Sequence, residues 1–411
     1  MHSMLDSFTP LTSYLLQISS SNTATSSVMG GSAFARTVGH SGKPIKTPRM
    51  SPEVYHEIAR YCQTKLETLF ERVSIPREAP GKADFGDVDF IVEGPRSVAA
   101  TGGMWTAVEE ALGAEARLHN GGSHSYAIPH PAMPEAHVQV DVELLSEKGA
   151  AGSIGLFQWT LFMKGDSDLT QIIGISHHSL GLCCNDRGLH IRVAEIECYN
   201  KKDASLFLTR DPYKAMEFYG FDISKYQDGF AEETHLFDWA SSGRFFRRDV
   251  LDHRVEKASE RSRRAKRPMY RRFVEDYVPT RLDEGTATAL TRQEVLEEAL
   301  DFFDKHAEYK AMMTAHRLKE AEEELWTGIR TRLPVGGNSL ATTLKALRRW
   351  VMFQEGKPCI ATELQEYANW TSLMAVDSSS AVLDWVMENW REAKALEKAR
   401  ASAAKKTATT M

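Results

Sequence analysis

Residues 82–93 read Lys82-Ala-Asp-Phe-Gly-Asp-Val-Asp-Phe-Ile-Val-Glu93 and place two carboxylates, Asp87 and Asp89, at the start of an apolar run. Successive side chains of a β-strand point to opposite faces, so the two aspartates share one face while Val88 and Phe90 share the other. Carboxylates this close repel each other unless they share a proton or a cation, and oxygen ligands suit a hard ion such as Mg²⁺. The pattern therefore predicts a strand with a metal-binding face. A turn that carries acids is the simpler alternative, since Gly-Asp is common in turns.

A second stretch, 137–145, supplies a third carboxylate. Its sequence His-Val-Gln-Val-Asp-Val-Glu-Leu-Leu alternates between polar and apolar residues, which is typical of a half-buried strand. Asp141 lies on the polar face and could join Asp87 and Asp89 from a neighbouring strand. Glu143 shares that face, although an exposed acid near the strand end is an equally good interpretation.

These two strands resemble the polymerase β-like nucleotidyltransferase superfamily. That family carries a Gly-Asp-hydrophobic-Asp-hydrophobic strand and, later, a strand with one acid between apolar residues. The corresponding residues here are Gly86-Asp87-Val88-Asp89-Phe90 and Val140-Asp141-Val142, and the likeness covers about residues 50–145. The resemblance implies an α+β fold, in which a small mixed β-sheet nucleotidyltransferase core has helices on one face.

The resemblance also implies an activity. A nucleoside monophosphate would pass from a nucleoside triphosphate to a hydroxyl, with the 3′ end of RNA as the leading acceptor. Asp87, Asp89 and Asp141 would hold Mg²⁺ or Mn²⁺ and act as the catalytic carboxylates of a two-metal mechanism. The candidates for contacting the nucleotide are Gly86, Lys82 and Ser123. Lys82 and Ser123 also fit ordinary turn positions, which is the alternative interpretation of these two residues.

One part of the family pattern is missing at the expected place. The family carries a Gly-Ser pair at a helix start shortly before the paired acids, where it contacts the triphosphate. The corresponding stretch, 74–81, reads Ser-Ile-Pro-Arg-Glu-Ala-Pro-Gly and lacks the pair. Gly30-Gly31-Ser32 has the right residues but lies more than fifty positions upstream of Asp87.

Two other functions remain open. The same site could transfer a nucleotide to a protein or a small molecule, as some members of the family do. Alternatively, the chain could be a catalytically silent scaffold that retains the fold and binds a partner through its helical C-terminal region. Intact acids at all three positions count against a silent site.

Composition limits the class of protein. The chain has 411 residues, a formal net charge of −6, 42% hydrophobic residues and 26% charged residues, which suits a globular protein of two or three domains. No stretch is apolar enough to span a bilayer, and the first residues lack the basic start of a secretory signal. We therefore expect no membrane segment and an intracellular protein, cytoplasmic or nuclear.

The cysteines and histidines predict no zinc site. Five cysteines are an odd number without Cys-x-x-Cys spacing, which argues against a disulfide framework and against structural zinc. The pairs His177-His178 and Cys183-Cys184 are adjacent in sequence, and adjacent side chains splay apart in both helices and strands.

The order of patterns along the chain predicts five segments. They are a flexible N-terminal arm at 1–50, a nucleotidyltransferase catalytic core at 51–150, a second α/β module at 151–285, a helical C-terminal domain at 286–400 and a disordered tail at 401–411. Helix boundaries are marked by Ser51, Gly113, Asp211 and Thr291, which are residues that favour helix caps. Further helices are predicted at 339–356 and 380–400.

The segment Arg244–Arg272 within the second module is strongly basic, with twelve Lys or Arg residues against four acids. The aromatic residues interleaved with them are Phe245, Phe246, Tyr270 and Phe273. Positive charge combined with stacking surfaces is typical of single-stranded nucleic-acid binding, so RNA is the predicted partner. A solvated helix face, or a nuclear import signal at 261–267, would produce the same composition.

Overall fold

A computed structural model describes residues 31–38, 42–96, 103–145, 153–247, 258–281, 290–375 and 378–409. These residues form an α+β protein with a mixed sheet and C-terminal helices. The sequence predicts these three features. They divide into two compact units. The first takes its described residues from Met1–Leu169, Phe230–Phe237 and Val255–Thr280, and the second from Thr170–Gly229, Asp238–Arg254 and Arg281–Met411.

A five-stranded mixed sheet organises the first unit. Its strands are β1 (Phe70–Ser74), β2 (Asp87–Pro95), β3 (Ala116–Asn120), β4 (Ser123–Pro129) and β5 (His137–Leu144). The spatial order is β1-β2-β5-β4-β3. Only β2 and β5 pair in parallel, and the other three pairings are antiparallel. The two strands that carry the predicted acids are therefore direct neighbours.

Two helices, α1 (Pro52–Glu67) and α2 (Met104–Leu112), pack on the apolar face of this sheet. Ser51 caps α1 by accepting a hydrogen bond from a backbone amide of the first turn, and Gly113 ends α2 in the left-handed conformation with φ of 64°, as predicted. The buried sheet residues of this core include Val88, Phe90, Val92, Val138, Val140 and Val142. Period-2 alternation thus assigns the valines of β2 and β5 to the core.

The opposite face of the sheet is covered at two places. The helix α3 (Ser153–Lys164) contacts β2. Phe34 and Ile45 form a small buried cluster with Ala127 of β4. Of the predicted flexible arm, residues 1–30 and 39–41 lie outside the described residues. The described remainder packs against the sheet.

Later residues complete the first unit. They form the helices Ala258–Lys266 and Pro268–Arg272, followed by the short helical turns Phe273–Tyr277 and Val278–Thr280. The carboxylate of Asp168 accepts hydrogen bonds from the Arg267 guanidinium at 2.8 Å and from the Tyr270 backbone amide at 3.1 Å. These bonds join segments that are about a hundred residues apart in the chain.

The second unit begins with a three-stranded antiparallel sheet. Its strands are β6 (Leu182–Asn185), β7 (Gly188–Arg192) and β8 (Ser205–Thr209), in that spatial order. The helices of this part of the chain are Leu169–His177, Ala194–Glu197, Pro212–Tyr219 and Ile223–Asp228. The helix Glu233–Ser241 belongs to the first unit up to Phe237 and to the second unit from Asp238. Asp211 caps the helix Pro212–Tyr219 with its side chain, and Gly220 ends that helix with φ of 72°, as predicted.

The C-terminal part of the second unit is mainly helical. Its helices are Arg292–Phe302, His306–Arg332, Gly337–Trp350, Trp370–Leu373 and Ser379–Thr409. Thr291 and Glu294 form the predicted capping box. The prediction of a helix at 339–356 is wrong at its C-terminal end. The chain leaves the helix after Trp350 and forms a hairpin, β9 (Val351–Gln354) and β10 (Lys357–Ile360), whose turn uses the left-handed conformation at Gly356.

In the described part of the chain, no helix is both long enough and apolar enough to cross a bilayer.

Candidate active site

The three predicted carboxylates occupy neighbouring positions on one face of the sheet. In the parallel pairing of β2 with β5, Asp89 lies opposite Asp141 and Asp87 lies opposite Gln139. Neighbouring strands are about 4.8 Å apart, so residues in register share a face and adjoin each other. This face is the one opposite Val88, and it therefore points away from the main apolar core.

The described arm reaches this face and supplies backbone donors to it. The Gly31 amide donates to Asp87 Oδ2 at 2.9 Å, and the Ala33 amide donates to Gln139 Oε1 at 2.9 Å. Gln139 in turn donates from Nε2 to both carboxylate oxygens of Asp141, at 3.1 and 2.9 Å. A short chain of hydrogen bonds therefore links the arm to two of the three acids.

Gly31 can reach this position only because it lacks a side chain. It adopts φ of +90°, and a Cβ atom there would lie 2.1 Å from the carbonyl oxygen of Gly86. The predicted contact residue Gly86 is thus covered by Gly31. The fold also brings Gly31-Ser32, which the sequence places far upstream, directly against the acid-bearing strand. The residues Gly-Ser themselves were the only sequence signal for this approach.

Ser125, rather than Ser123, meets the acids. Ser125 lies opposite Asp141 in the antiparallel pairing of β4 with β5, and its hydrogen bond lowers the pKa of that carboxyl. Ser123 lies one step along the same face, opposite Glu143, and its hydroxyl donates to the Asn120 carbonyl oxygen at 3.1 Å. The predicted contact residue Ser123 therefore does not meet the acids, and strand register is needed to identify Ser125.

Tyr55 of α1 lies near the acids and is not among the site residues that the sequence predicts. Its ring is buried and stacks on Phe85, with 4.0 Å between the ring centroids. Burial raises the pKa of the Tyr55 hydroxyl, and a hydrogen bond to Glu78 and the charges of Asp89 and Asp87 raise it further. The phenol therefore stays neutral and can donate to carboxylates on this face.

Two lysines near the acids are held in ion pairs. The Lys82 ammonium lies 2.6 Å from Glu78 Oε2, and Lys164 pairs with Glu143. Their charges still act on the aspartates, because Lys82 lowers the pKa of Asp87 and Lys164 lowers the pKa of Asp89. The acids named so far at this face are Asp87, Asp89, Asp141, Glu78 and Glu143. Two lysines do not neutralise five carboxylates.

The pKa values of the aspartates express this imbalance. Burial raises the pKa of Asp87 to about 6, and the charge of Asp141 adds to the effect. The pKa of Asp89 rises to about 7, first through burial and then through the charges of Asp87 and Asp141. The Asp89 side chain reaches solvent. Surrounding protein nevertheless removes enough of its hydration to disfavour the charged form.

The donor set suits a hard divalent cation. Carboxylates on adjoining strands supply oxygen ligands only, and a cation would relieve the repulsion that raises the pKa of Asp87 and of Asp89. Within the described ranges, the side chains as they stand form no group of three or more His, Cys, Asp or Glu residues that could hold a metal ion. The prediction of Asp87, Asp89 and Asp141 as metal ligands therefore stays a prediction.

Three of the four rings predicted as stacking surfaces in Arg244–Arg272 are buried. Phe245, Tyr270 and Phe273 are 3%, 0% and 1% exposed, so their rings belong to the protein interior and cannot stack on bases. Phe246 is half-buried. Residues 248–257 lie outside the described part of the chain. The prediction is wrong for the three buried rings, because composition does not show burial.

Comparison of the chain with protein-family models finds no matching family, and comparison with curated proteins finds no match. The functional argument consequently depends on the chemistry of the acid-bearing face and on the resemblance of its two motifs.

Replacing Asp89 by Asn should change how stability depends on pH. The folded-state pKa of Asp89, about 7, lies above its ordinary value of 3.8, so the folded protein holds this proton more tightly than the unfolded chain. The free energy of unfolding contributed by this group therefore falls as pH rises between these values. We expect a smaller fall in Asp89→Asn than in the wild type, measured by urea denaturation at about pH 5 and about pH 7.5.

The matched control for that experiment is Asp84→Asn. Asp84 is exposed and pairs with Arg49 at 2.6 Å. Its removal should leave the raised pKa of Asp89 in place. An equal pH dependence in the wild type and in Asp89→Asn would contradict the assignment.

Gly31→Ala should release the arm from the sheet, because the new Cβ would clash with the Gly86 carbonyl oxygen. Gly42→Ala is the matched control, since Gly42 also has a left-handed φ of +76° but a Cβ atom added there would meet no heavy atom within 4 Å. Both variants carry the backbone cost of about 1–2 kcal/mol. Only Gly31→Ala should also speed proteolysis of residues 31–50 and lower Tm further. Equal behaviour of the two variants would show that the arm is not held through Gly31.

Proposed function

We propose that this protein is a metal-dependent nucleotidyltransferase with a polymerase β-like core. The observation that carries the proposal is the pairing of Asp89 with Asp141 on parallel neighbouring strands, with Asp87 on the same face. The approach of Gly31 to Gly86 and Asp87 supports it, because a Gly-Ser pair then adjoins the acids as it does in the family that the motifs resemble.

Asp87, Asp89 and Asp141 would hold Mg²⁺ or Mn²⁺. Such a cation, when bound, neutralises triphosphate oxygens and lowers the pKa of an attacking hydroxyl. Within the described residues, Asp87 and Asp141 accept hydrogen bonds, from Gly31 and from Gln139 respectively, while no bond to Asp89 is found. Asp89 is thus the acid most available to a ligand. Its raised pKa means that cation binding would compete with a proton at its carboxylate.

The surrounding residues would hold the acids in fixed orientations. Ser125 and Gln139 both bond Asp141 and fix its carboxylate, while the Tyr55 phenol is bonded to Glu78. The acids would therefore be oriented before the substrate binds.

The nucleotide would lie along the face between the arm and Lys82. The Gly31-Ser32 turn, which covers Gly86, brings backbone close to Asp87 and could contact phosphate oxygens. Lys82 could contribute its charge if the triphosphate replaced Glu78 as its partner, at present 2.6 Å away. Ser123 lies further along the same face, toward the β3–β4 turn.

The proposed acceptor is the 3′ end of RNA, and the cations of Arg244–Arg272 could contact its phosphates even though three of the four rings of that segment are buried. Transfer to a protein or to a small molecule uses the same three acids. A catalytically silent scaffold would keep the fold and lose the transfer. These alternatives differ in where a labelled nucleotide ends up, and one assay separates them.

Mg²⁺ or Mn²⁺ should raise the thermal stability of the protein. A ligand that binds only the folded state at about 100 times its Kd adds about 2.7 kcal/mol to the free energy of unfolding. We expect a rise in Tm with either metal in the wild type and none in the double variant Asp87→Asn/Asp89→Asn, measured by differential scanning fluorimetry with EDTA as the reference. Asp84→Asn should respond like the wild type. A metal response that survives the double variant would place the cation elsewhere.

Transfer can be tested directly. The full-length protein is incubated with each labelled nucleoside triphosphate, Mg²⁺ or Mn²⁺, and a mixture of RNA, DNA, protein and small-molecule acceptors. We expect label on RNA, and a loss of at least about 100-fold in Asp141→Asn, because each catalytic metal ligand contributes several kcal/mol of transition-state stabilisation. Label on protein or on a small molecule would show that the acceptor is not RNA. Label on nothing would contradict the proposed activity.

A further inference from the structure

Two adjoining grooves lie on the helical part of the second unit. Their volumes are about 470 Å³ and about 580 Å³, and both are lined by Arg348 and Tyr367. The walls come from the helices His306–Arg332 and Gly337–Trp350 and from the segment that precedes Trp370–Leu373. The shared lining joins the two grooves into one surface.

A guanidinium between two aromatic rings forms the centre of this surface. The Arg348 guanidinium lies 4.6 Å from the centroid of the Trp326 ring and 5.5 Å from the centroid of the Tyr367 ring. Trp326 is buried, whereas Tyr367 is 55% exposed. The surface therefore presents a flat aromatic ring to solvent beside a fixed positive charge.

A buried carboxylate holds the two rings in place. Glu322 Oε1 accepts hydrogen bonds at 2.6 Å from both the Trp326 indole and the Tyr367 hydroxyl, and Glu322 Oε2 accepts one from the Thr371 amide at 3.1 Å. The orientation of the exposed ring is thus determined before any ligand arrives. Preorganisation of this kind lowers the entropic cost of binding.

The surface carries three exposed cations. Arg330, Lys345 and Arg348 are exposed, and among the residues that the structure describes none of the three has a carboxylate partner. Arg349, next to them in the chain, pairs with the buried Glu397 at 3.0 Å. Lys345 and Arg348 are three positions apart on one helix and therefore share a face. Glu323 is the exposed acid of the larger groove.

We infer that this surface, formed by Arg330, Lys345, Arg348 and Tyr367 and called here the Arg348 groove, binds single-stranded nucleic acid. The three cations would contact phosphates, and a base would stack on Tyr367 beside the guanidinium. An acidic peptide could use the cations but has no need of the exposed, fixed ring. The inference concerns binding alone and does not depend on the proposed transfer reaction.

The test is fluorescence anisotropy of a labelled 12-nucleotide single-stranded RNA with the full-length protein in EDTA. We expect Arg330→Glu/Lys345→Glu to weaken Kd by at least about tenfold, and the salt dependence of Kd to become shallower. Tyr367→Leu should weaken Kd by about tenfold through the loss of stacking, while Tyr367→Phe should retain most of the affinity. Circular dichroism of each variant checks that it is folded.

The matched control is Lys310→Glu. Lys310 is also exposed and lies on the helix that carries Arg330, about 30 Å away along the axis. It should bind RNA like the wild type. No RNA binding, equal weakening by Lys310→Glu, or displacement of RNA by polyglutamate of equal charge would overturn the inference.

Discussion

The parallel pairing of β2 with β5 is the constraint on which the first unit depends. It places six valine and phenylalanine positions against α1 and α2, and the same register sets Asp89 beside Asp141 on the opposite face. A slip of one residue would exchange the two faces of a strand and drive carboxylates into the apolar core. The burial of hydrophobic side chains therefore also fixes the relative positions of the acids.

Neutral groups donate hydrogen bonds to two of the three acids. The Gly31 amide supports Asp87, and Ser125 and Gln139 support Asp141, while the nearby lysines pair with Glu78 and Glu143. Hydrogen bonds of this kind fix the orientation of a carboxylate without cancelling its charge. The carboxylates of this face are therefore oriented, and the raised pKa values of Asp87 and Asp89 show that their charges are not balanced.

Local sequence rules predicted much of the fold. Helix caps at Ser51, Gly113, Asp211 and Thr291 and the alternation of β2 and β5 depend on neighbouring residues, and the sequence displays them. Long-range packing was not predictable in this way. The approach of Gly31 to Gly86, the burial of Phe245 and Tyr270, and the hairpin after Trp350 depend on contacts between distant segments. The placement of Asp87, Asp89 and Asp141 on one face was predictable, whereas the contact of Ser125 required strand register and the position of Tyr55 required the packing of α1.

The first unit takes residues from both ends of a long stretch of chain, and this has a consequence for synthesis on the ribosome. Asp168 is made about a hundred residues before its partners Arg267 and Tyr270. At ordinary translation speeds of 5–20 residues per second, that interval lasts on the order of ten seconds. During that time the nascent sheet is complete in sequence, but the Asp168 carboxylate must remain hydrated. Final closure of this unit must therefore wait until residues near Thr280 have emerged.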